Sequence, residues 1–372
     1  MNQFTLTCPC HFGLERVLAG EIKRMGADVT KTIDGRVTFS GDMQIIARAN
    51  LCLRTAERVL ILIGEFKALT FDDLFEGVKS LPWENYIAKT DAFPVKGHSM
   101  NSQLHSIPSC QSIIKKAVVE RLKQRYHLSW LEETNAKHQI QFFIHKNNVS
   151  VYLDTSGEGL HKRGYRKNAN QAPIRETLAA GIIDLARVKQ DAIVYDPFCG
   201  SGTFLIEAAA KALRIQPGMM RSFAAEQWSQ IPPSVWRTER ERARDLADLS
   251  GAFHAFGTDI DEKAIALSIA NAKKASVASR IQFSKQAIDV FLPKTSQGIV
   301  FANPPYGERM LEIKLAREIY RKMGEVFAKR DGYSYYIITS DNRFESYFGT
   351  KADKKRKLYN GMRACQLYMY FK

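Results

Sequence analysis

Cysteine is scarce in this chain and nowhere clustered. Cys8, Cys10, Cys52, Cys110, Cys199 and Cys365 are scattered through 372 residues, without the dense spacing of a disulfide scaffold, so reduced thiols in a cytoplasmic protein are expected. Cys8, Cys10 and His11 lack a second paired cluster at zinc spacing, and no metal is expected there. No apolar run approaches about 18 residues, and no basic region followed by an apolar stretch opens the chain, which argues against a membrane span and a secretion signal. Internal repeats and low-complexity tracts are missing too, so a solenoid or a disordered tail is not expected. Acidic residues are the minority charge: 39 Asp plus Glu face 54 Lys plus Arg, for a formal charge of +15 and a pI near 9.5. A split at Asn168 leaves +6 before and +9 after. A polyanion spanning both halves fits that balance, against the plainer reading of a basic soluble surface.

What is present is ordinary globular material, 45% apolar and 25% charged. The length suits two or three domains at roughly 100–200 residues each. The spacing predicts a strand at Phe4 to Thr7, a helix from Leu14 to Met25, a strand at Arg36 to Phe39, a helix from Met43 to Ala49 and a strand from Glu57 to Ile63. This β-α-β-α-β order suits a ferredoxin-like α+β unit over 1–66. A second unit, 67–156, has a helix from Phe71 to Val78, an extended run at Phe93 to Gly97, a long helix from Cys110 to Tyr126 and a hairpin around Lys146-Asn147-Asn148. The long helix carries Lys115, Lys116, Arg121, Lys123 and Arg125, either a solvated face or a grip on nucleic acid. Leu160 to Lys167 then interleaves Lys162, Arg163, Arg166 and Lys167 with Tyr165, a connector suited to phosphate and base contact. From 157 to 372 strands alternate with helices, arguing a largely parallel α/β sheet. Pro173 suits the first turn of a helix through Leu178, Ile182 and Leu185.

Two motifs in this last segment carry the chemistry. Asp196-Pro197-Phe198-Cys199-Gly200-Ser201-Gly202-Thr203 follows the short apolar strand Ala192 to Tyr195 and turns backbone N–H groups toward the carboxyl edge of the sheet. Leu205 stands where a dinucleotide fingerprint needs its third glycine, and no Gly-Lys-Ser/Thr completes a Walker loop. Past the next strand, Asp259 of Gly257-Thr258-Asp259-Ile260-Asp261 can accept from two ribose hydroxyls, while Asp261 competes as a helix cap. Asp289 can accept from an adenine amine. Asn303-Pro304-Pro305-Tyr306 fixes an amide, free carbonyls and an aromatic ring in a rigid turn, which suits a planar amine whose lone pair conjugates with its ring. Tyr306 can stack on a base flipped out of its helix. Cys199, inside the glycine loop, is read as packing.

These residues resemble class I S-adenosylmethionine-dependent amino-methyltransferases, which carry both motifs in this order. Phe12-Gly13-Leu14-Glu15, Leu160 to Arg166, Ala172-Pro173-Ile174-Arg175-Glu176, Pro304 to Arg309, Lys357 to Gly361 and the insertion between Leu213 and Phe253 with Arg221-Ser222-Phe223 and Trp228 are similar to the bacterial THUMP-domain enzymes that methylate guanine N2 in large-subunit ribosomal RNA. The resemblance implies a Rossmann-like catalytic sheet, mostly parallel with one antiparallel strand, behind a ferredoxin-like domain and a THUMP domain that grips RNA. It places Asp196, Phe198, Gly200 and Gly202 at the cofactor's methionine end, Asp259 on its ribose and Asp289 near its adenine, with Thr203 and Ile260 also counted among the cofactor-binding residues. Asn303, Pro304 and Tyr306 then handle the base. The proline-turn motif alone leaves open an adenine-N6 methyltransferase on DNA or RNA, a tRNA guanine-N2 enzyme, a glutamine methyltransferase, or a non-enzymatic assembly factor with a silent cofactor fold.

Overall fold

The computed structural model describes residues 3–166, 174–306, 310–327 and 331–371. Lys167, Ala172, Pro173 and the Gly307-Glu308-Arg309 part of the proline-turn motif lie outside them.

The first half folds as β1 (Phe4–Pro9), α1 (Glu15–Arg24), β2 (Asp28–Ile33), β3 (Arg36–Gly41), α2 (Met43–Cys52) and β4 (Leu60–Lys67), then α3 (Phe71–Lys79), β5 (Val95–Met100), α4 (Ile107–Tyr126), β6 (Ile140–His145) and β7 (Asn148–Asp154). Strand β2 corrects the expected β-α-β-α-β order to β-α-β-β-α-β. Its residues are nearly all exposed on a sheet edge, so it lacks the apolar alternation that marks a half-buried strand. Strand β4 starts at Leu60 rather than Glu57, because Glu57 is spent in a polar cluster with His11, His161 and Arg175.

All seven strands join one sheet in the order β2-β3-β1-β4-β7-β6-β5. The ferredoxin-like and THUMP units share it through the β4–β7 ladder, from Leu60 opposite Asp154 to Lys67 opposite Asn148. Strand period two sends Leu6, Cys8, Val37, Phe39, Phe142 and Ile144 into a core with Leu18, Ile46, Leu74 and Ile114 of the helices. Cys8 and Cys10 belong to that core, and burial pushes both thiols up.

The second half comprises α5 (Glu176–Leu185), β8 (Ile193–Asp196), α6 (Thr203–Ala212), α7 (Pro233–Asp245), β9 (His254–Asp259), α8 (Glu262–Lys274), β10 (Ile281–Lys285), β11 (Gly298–Ala302), α9 (Met310–Phe327), β12 (Tyr333–Thr339), α10 (Phe344–Phe348), β13 (Lys354–Asn360) and β14 (Arg363–Tyr370). Its sheet runs β10-β9-β8-β11-β12-β14-β13. Only β14 opposes the rest: it is antiparallel to both β12 and β13. From β8 the chain winds outward through β9 and β10, then returns to the other side at β11. The strand order therefore reverses between β8 and β11, and α/β folds bind ligands outside the carboxyl ends of strands at such a reversal.

The halves interlock. Leu14 and Val17 of the first half belong to the catalytic core, where Leu14 lies so close to Gly181 that a Cβ there would sit 2.3 Å from its Cδ1. In the opposite direction the insertion between α6 and β9 sends Phe223, Trp228 and Trp236 into the first core. Trp228 stacks on His138 with ring centroids 4.4 Å apart, and Arg48 of α2 holds the buried Glu239 of α7 through bonds of 2.8 and 2.7 Å.

Candidate active site

Strand β8 ends in Asp196, whose carboxylate accepts the Phe198 amide at 3.0 Å. Burial pushes this carboxyl up to about 8; the Phe198 hydrogen bond opposes the rise and the neighbouring Asp259 adds to it. The loop then turns through Gly200 and Gly202 at φ +52° and +79°, backbone that L side chains rarely adopt. The two glycines do different things. A Cβ on Gly202 would meet Ser268, Ile206 and Phe283 at 3.3–3.4 Å, whereas one on Gly200 would meet only the Phe198 carbonyl at 3.9 Å. Gly202 lets the loop pack onto the sheet and Gly200 leaves open space above it.

Asp259 ends the adjacent strand β9 and faces the same loop. Its Oδ2 accepts the Gly200 amide and its Oδ1 the Asp261 amide, both at 3.0 Å, which fixes the carboxylate and leaves further lone pairs for hydroxyl donors. Ile260 beside it is 71% exposed, an apolar surface next to that acid. Asp261 caps α8 by accepting the Lys263 amide. Asp289 is half-exposed and lies 3.6 Å from Lys322. Open space over Gly200, an anchored carboxylate and an uncovered aliphatic side chain suit the methionine, ribose and adenine parts of S-adenosylmethionine in turn.

Thr203 departs from the expected contact role. Its side chain is buried and its hydroxyl is engaged by Arg166 Nη2 at 2.9 Å and Ser201 at 3.1 Å. Two loop supports were missed by sequence reasoning: Ser268 donates to the Gly200 carbonyl at 2.7 Å and Asn271 to the Ser201 carbonyl at 3.0 Å. A signal existed, since both are polar residues on the buried stripe of α8 among Ala264, Ile265 and Ala272.

Across the reversal point, β11 leads into Asn303. Its neighbour β8 pairs with it in parallel, Val300 opposite Tyr195, so Asn303 and the glycine loop emerge at one edge of the sheet. Pro304 is buried and the Pro305 carbonyl accepts the Tyr320 hydroxyl at 3.0 Å. Tyr306 is turned inward: its hydroxyl donates to Asn303 Oδ1, and Arg363 lies 5.7 Å from its ring centroid. Burial, reinforced by Cys365, raises its phenol well above the usual range.

The basic residues divide. Lys116 and Lys162 are exposed, Lys162 pairing with Glu158 on the surface. Lys115 is paired with Glu133 and Arg121 with Glu84. Arg163 corrects the expectation of a phosphate contact: it is 4% exposed and its guanidinium donates to the carbonyls of Leu160 and Arg54. Arg166 is likewise held inside, 3.0 Å from Glu176 and bonded to Thr203. Such buried guanidinium groups satisfy internal acceptors rather than reach a polyanion.

Comparison with known proteins agrees with this architecture. Residues 5–60 match the RlmL ferredoxin-like domain, 68–154 the THUMP domain and 163–369 the RMKL-like methyltransferase domain. The chain is 40% identical to the putative RNA methyltransferase YpsC of Bacillus subtilis, covering 100% of this chain and 97% of that protein. It is 32% identical to the ribosomal RNA large subunit methyltransferase K/L of Psychromonas ingrahamii over 97% of this chain, which spans 49% of that longer protein. The solved structure of SMU.472, a putative methyltransferase complexed with SAH, superposes with a TM-score of 0.94 at 39% identity and covers 100% of this chain and 98% of that one. The chain belongs to the RMKL-like methyltransferase family, with ferredoxin-like and THUMP domains ahead of a class I, S-adenosylmethionine-dependent catalytic domain.

Proposed function

We propose that this chain is an RNA methyltransferase that acts on the exocyclic N2 amine of a guanine in large-subunit ribosomal RNA. The observation that carries the reading is the emergence of Asn303 and the Asp196–Gly202 loop side by side at the reversal point between β8 and β11. When bound, S-adenosylmethionine supplies a methyl carbon made electrophilic by its sulfonium. Asp259 would hold its ribose hydroxyls and the loop backbone around Gly200 its methionine end. Asn303 Oδ1 and the Pro304 carbonyl would accept the two N–H groups of the base amine, orienting it and localising its lone pair. The Tyr306 hydroxyl now occupies Asn303 Oδ1; turning outward frees that acceptor and offers the ring for stacking. The THUMP domain and the net charge of +15 support RNA. The likeness to the K/L enzymes, which concerns about half of their length, supports ribosomal RNA.

The test is methyl transfer from radiolabelled S-adenosylmethionine to ribosomal RNA, transfer RNA, duplex DNA and a release-factor protein offered separately. It is joined with nucleoside mass spectrometry of RNA from a strain lacking the chain. Label in ribosomal RNA and loss of N2-methylguanosine are expected. Label only in DNA, transfer RNA or protein overturns the proposal, and no transfer to any acceptor leaves the assembly-factor alternative.

A further inference from the structure

The β13–β14 hairpin ends in a two-residue turn, Gly361-Met362, between Asn360 and its partner Arg363. Strand β12 runs parallel to β11, and β14 runs back along β12 with Gln366 opposite Thr339. The turn therefore emerges at the same carboxyl edge of the sheet as Asn303. It stands beside the candidate base site: the Tyr306 hydroxyl, bonded to Asn303, also meets the side chains of Cys365 and Asn360. The Arg363 guanidinium lies 5.7 Å from the Tyr306 ring centroid. Met362, at the tip, is fully exposed. We propose that Met362 is a wedge that enters the base stack of the RNA and fills the place vacated when the target guanine turns out toward Asn303. The proposal deepens the function proposed above and rests on it, adding that the target guanine starts out paired within a helix.

A single exposed apolar side chain is ordinary on a protein surface, so the case lies in how this one is mounted. A wedge has to resist the stack it parts, and the hairpin is braced. Leu358 and Cys365, opposite each other, are buried in the catalytic core. Arg356 Nη1 donates to the Gly13 carbonyl of the first domain at 2.6 Å, and the Tyr359 ring meets Phe12 edge-on at 5.7 Å. The tip is thus ordered before RNA arrives, which lowers the entropy cost of insertion. Turning out a paired base forfeits its pairing and stacking, and an unbranched, polarisable thioether can follow the irregular gap left between base faces. Charge favours the approach: the sequence from Lys354 to Lys372 holds no acid. Lys357 and Arg363 are exposed, one on each strand of the hairpin, where they attract the phosphates that bracket such a gap.

The test uses the full chain in single-turnover methyl transfer, after the modified guanine has been mapped by mass spectrometry of ribosomal RNA fragments. Two synthetic RNAs span it, each long enough for the native chain to methylate the natural sequence: one keeps the guanine paired, the other has an abasic residue opposite it. Met362→Ala is expected to slow transfer to the paired RNA about tenfold, yet to stay within about twofold of the native chain on the abasic RNA, whose guanine turns out at less cost. Met362→Leu keeps an apolar wedge and the native rate on both. S-adenosylmethionine affinity and unfolding temperature stay at native values in both variants. Unchanged transfer to the paired RNA by Met362→Ala overturns the wedge, as does an equal loss on both RNAs or a target guanine that maps to an unpaired loop. A native chain that methylates no RNA overturns the function proposed above, and this inference with it.

Discussion

At Asp196 the fold holds a carboxyl where its charge is disfavoured. Burial raises it to about 8, a preference that the cationic methionine amine would reverse if it is bound beside it as proposed. Binding would then expel the proton, so affinity would follow the ionised fraction of the free protein. S-adenosylmethionine is expected to bind about tenfold more tightly at pH 7 than at pH 6, a change that calorimetry reads directly, and Asp196→Asn is expected to lose both the affinity and its pH slope. Asn303 belongs to the other half of the chemistry. Asn303→Ala is expected to lower turnover by about a hundredfold or more, as for removal of one oriented polar group from a reaction centre, while the dissociation constant for S-adenosylmethionine stays within a few-fold. Retained turnover in a single-turnover assay counts against the assigned role.

Helix α8 holds the glycine loop in place through its buried side chains. Ser268 and Asn271 clamp the carbonyls of Gly200 and Ser201 from below. Asn271→Leu, which removes one such bond at about 1 kcal/mol, is expected to weaken S-adenosylmethionine about fivefold while the KM for RNA is unchanged. The candidate donor-site groups were readable because Asp196 and Asp259 close apolar strands, Asn303 follows one, and the turn glycines Gly200 and Gly202 mark the loop between strand and helix. The supports showed only as polar residues on the buried stripe of α8, and what they hold becomes visible only once the glycine loop is folded against them. Arg163 and Arg166 failed for the complementary reason: a basic run looks alike whether it faces solvent or buried Glu207 and Glu176. Among strands, β2 and β13 were missed because their faces are too polar and exposed to alternate, and β14 because its apolar C-terminal run had no partner to recommend it until β12 and β13 were in place. The parallel core strands β8, β9, β11 and β12 were readable as short apolar runs bounded by loops.

For the whole molecule, the contact between its halves sets a pH limit. His138 is buried against Trp228 of the insertion. Burial lowers its imidazole from 6.5 to about 4, outweighing Asp91 at 3.0 Å. The unfolded chain therefore binds more protons than the folded one between these values, and the native state holds its full advantage above pH 6.5 and loses it as pH falls toward 4. The loss amounts to at most about 3 kcal/mol. Denaturant unfolding followed from pH 7 to pH 4 is expected to show that slope, and His138→Phe to flatten it. The interlock has another consequence. Leu14 against Gly181 and Arg48 against Glu239 bind the two halves from opposite sides, so the span between the chain's N-terminal sheet and its methyl-donor edge is a constant of the protein. On the proposed RNA reading such a molecule is expected to work as a caliper: an added or deleted nucleotide between the RNA feature it holds and its target is expected to move the methylated position, which primer extension across a spacer series checks.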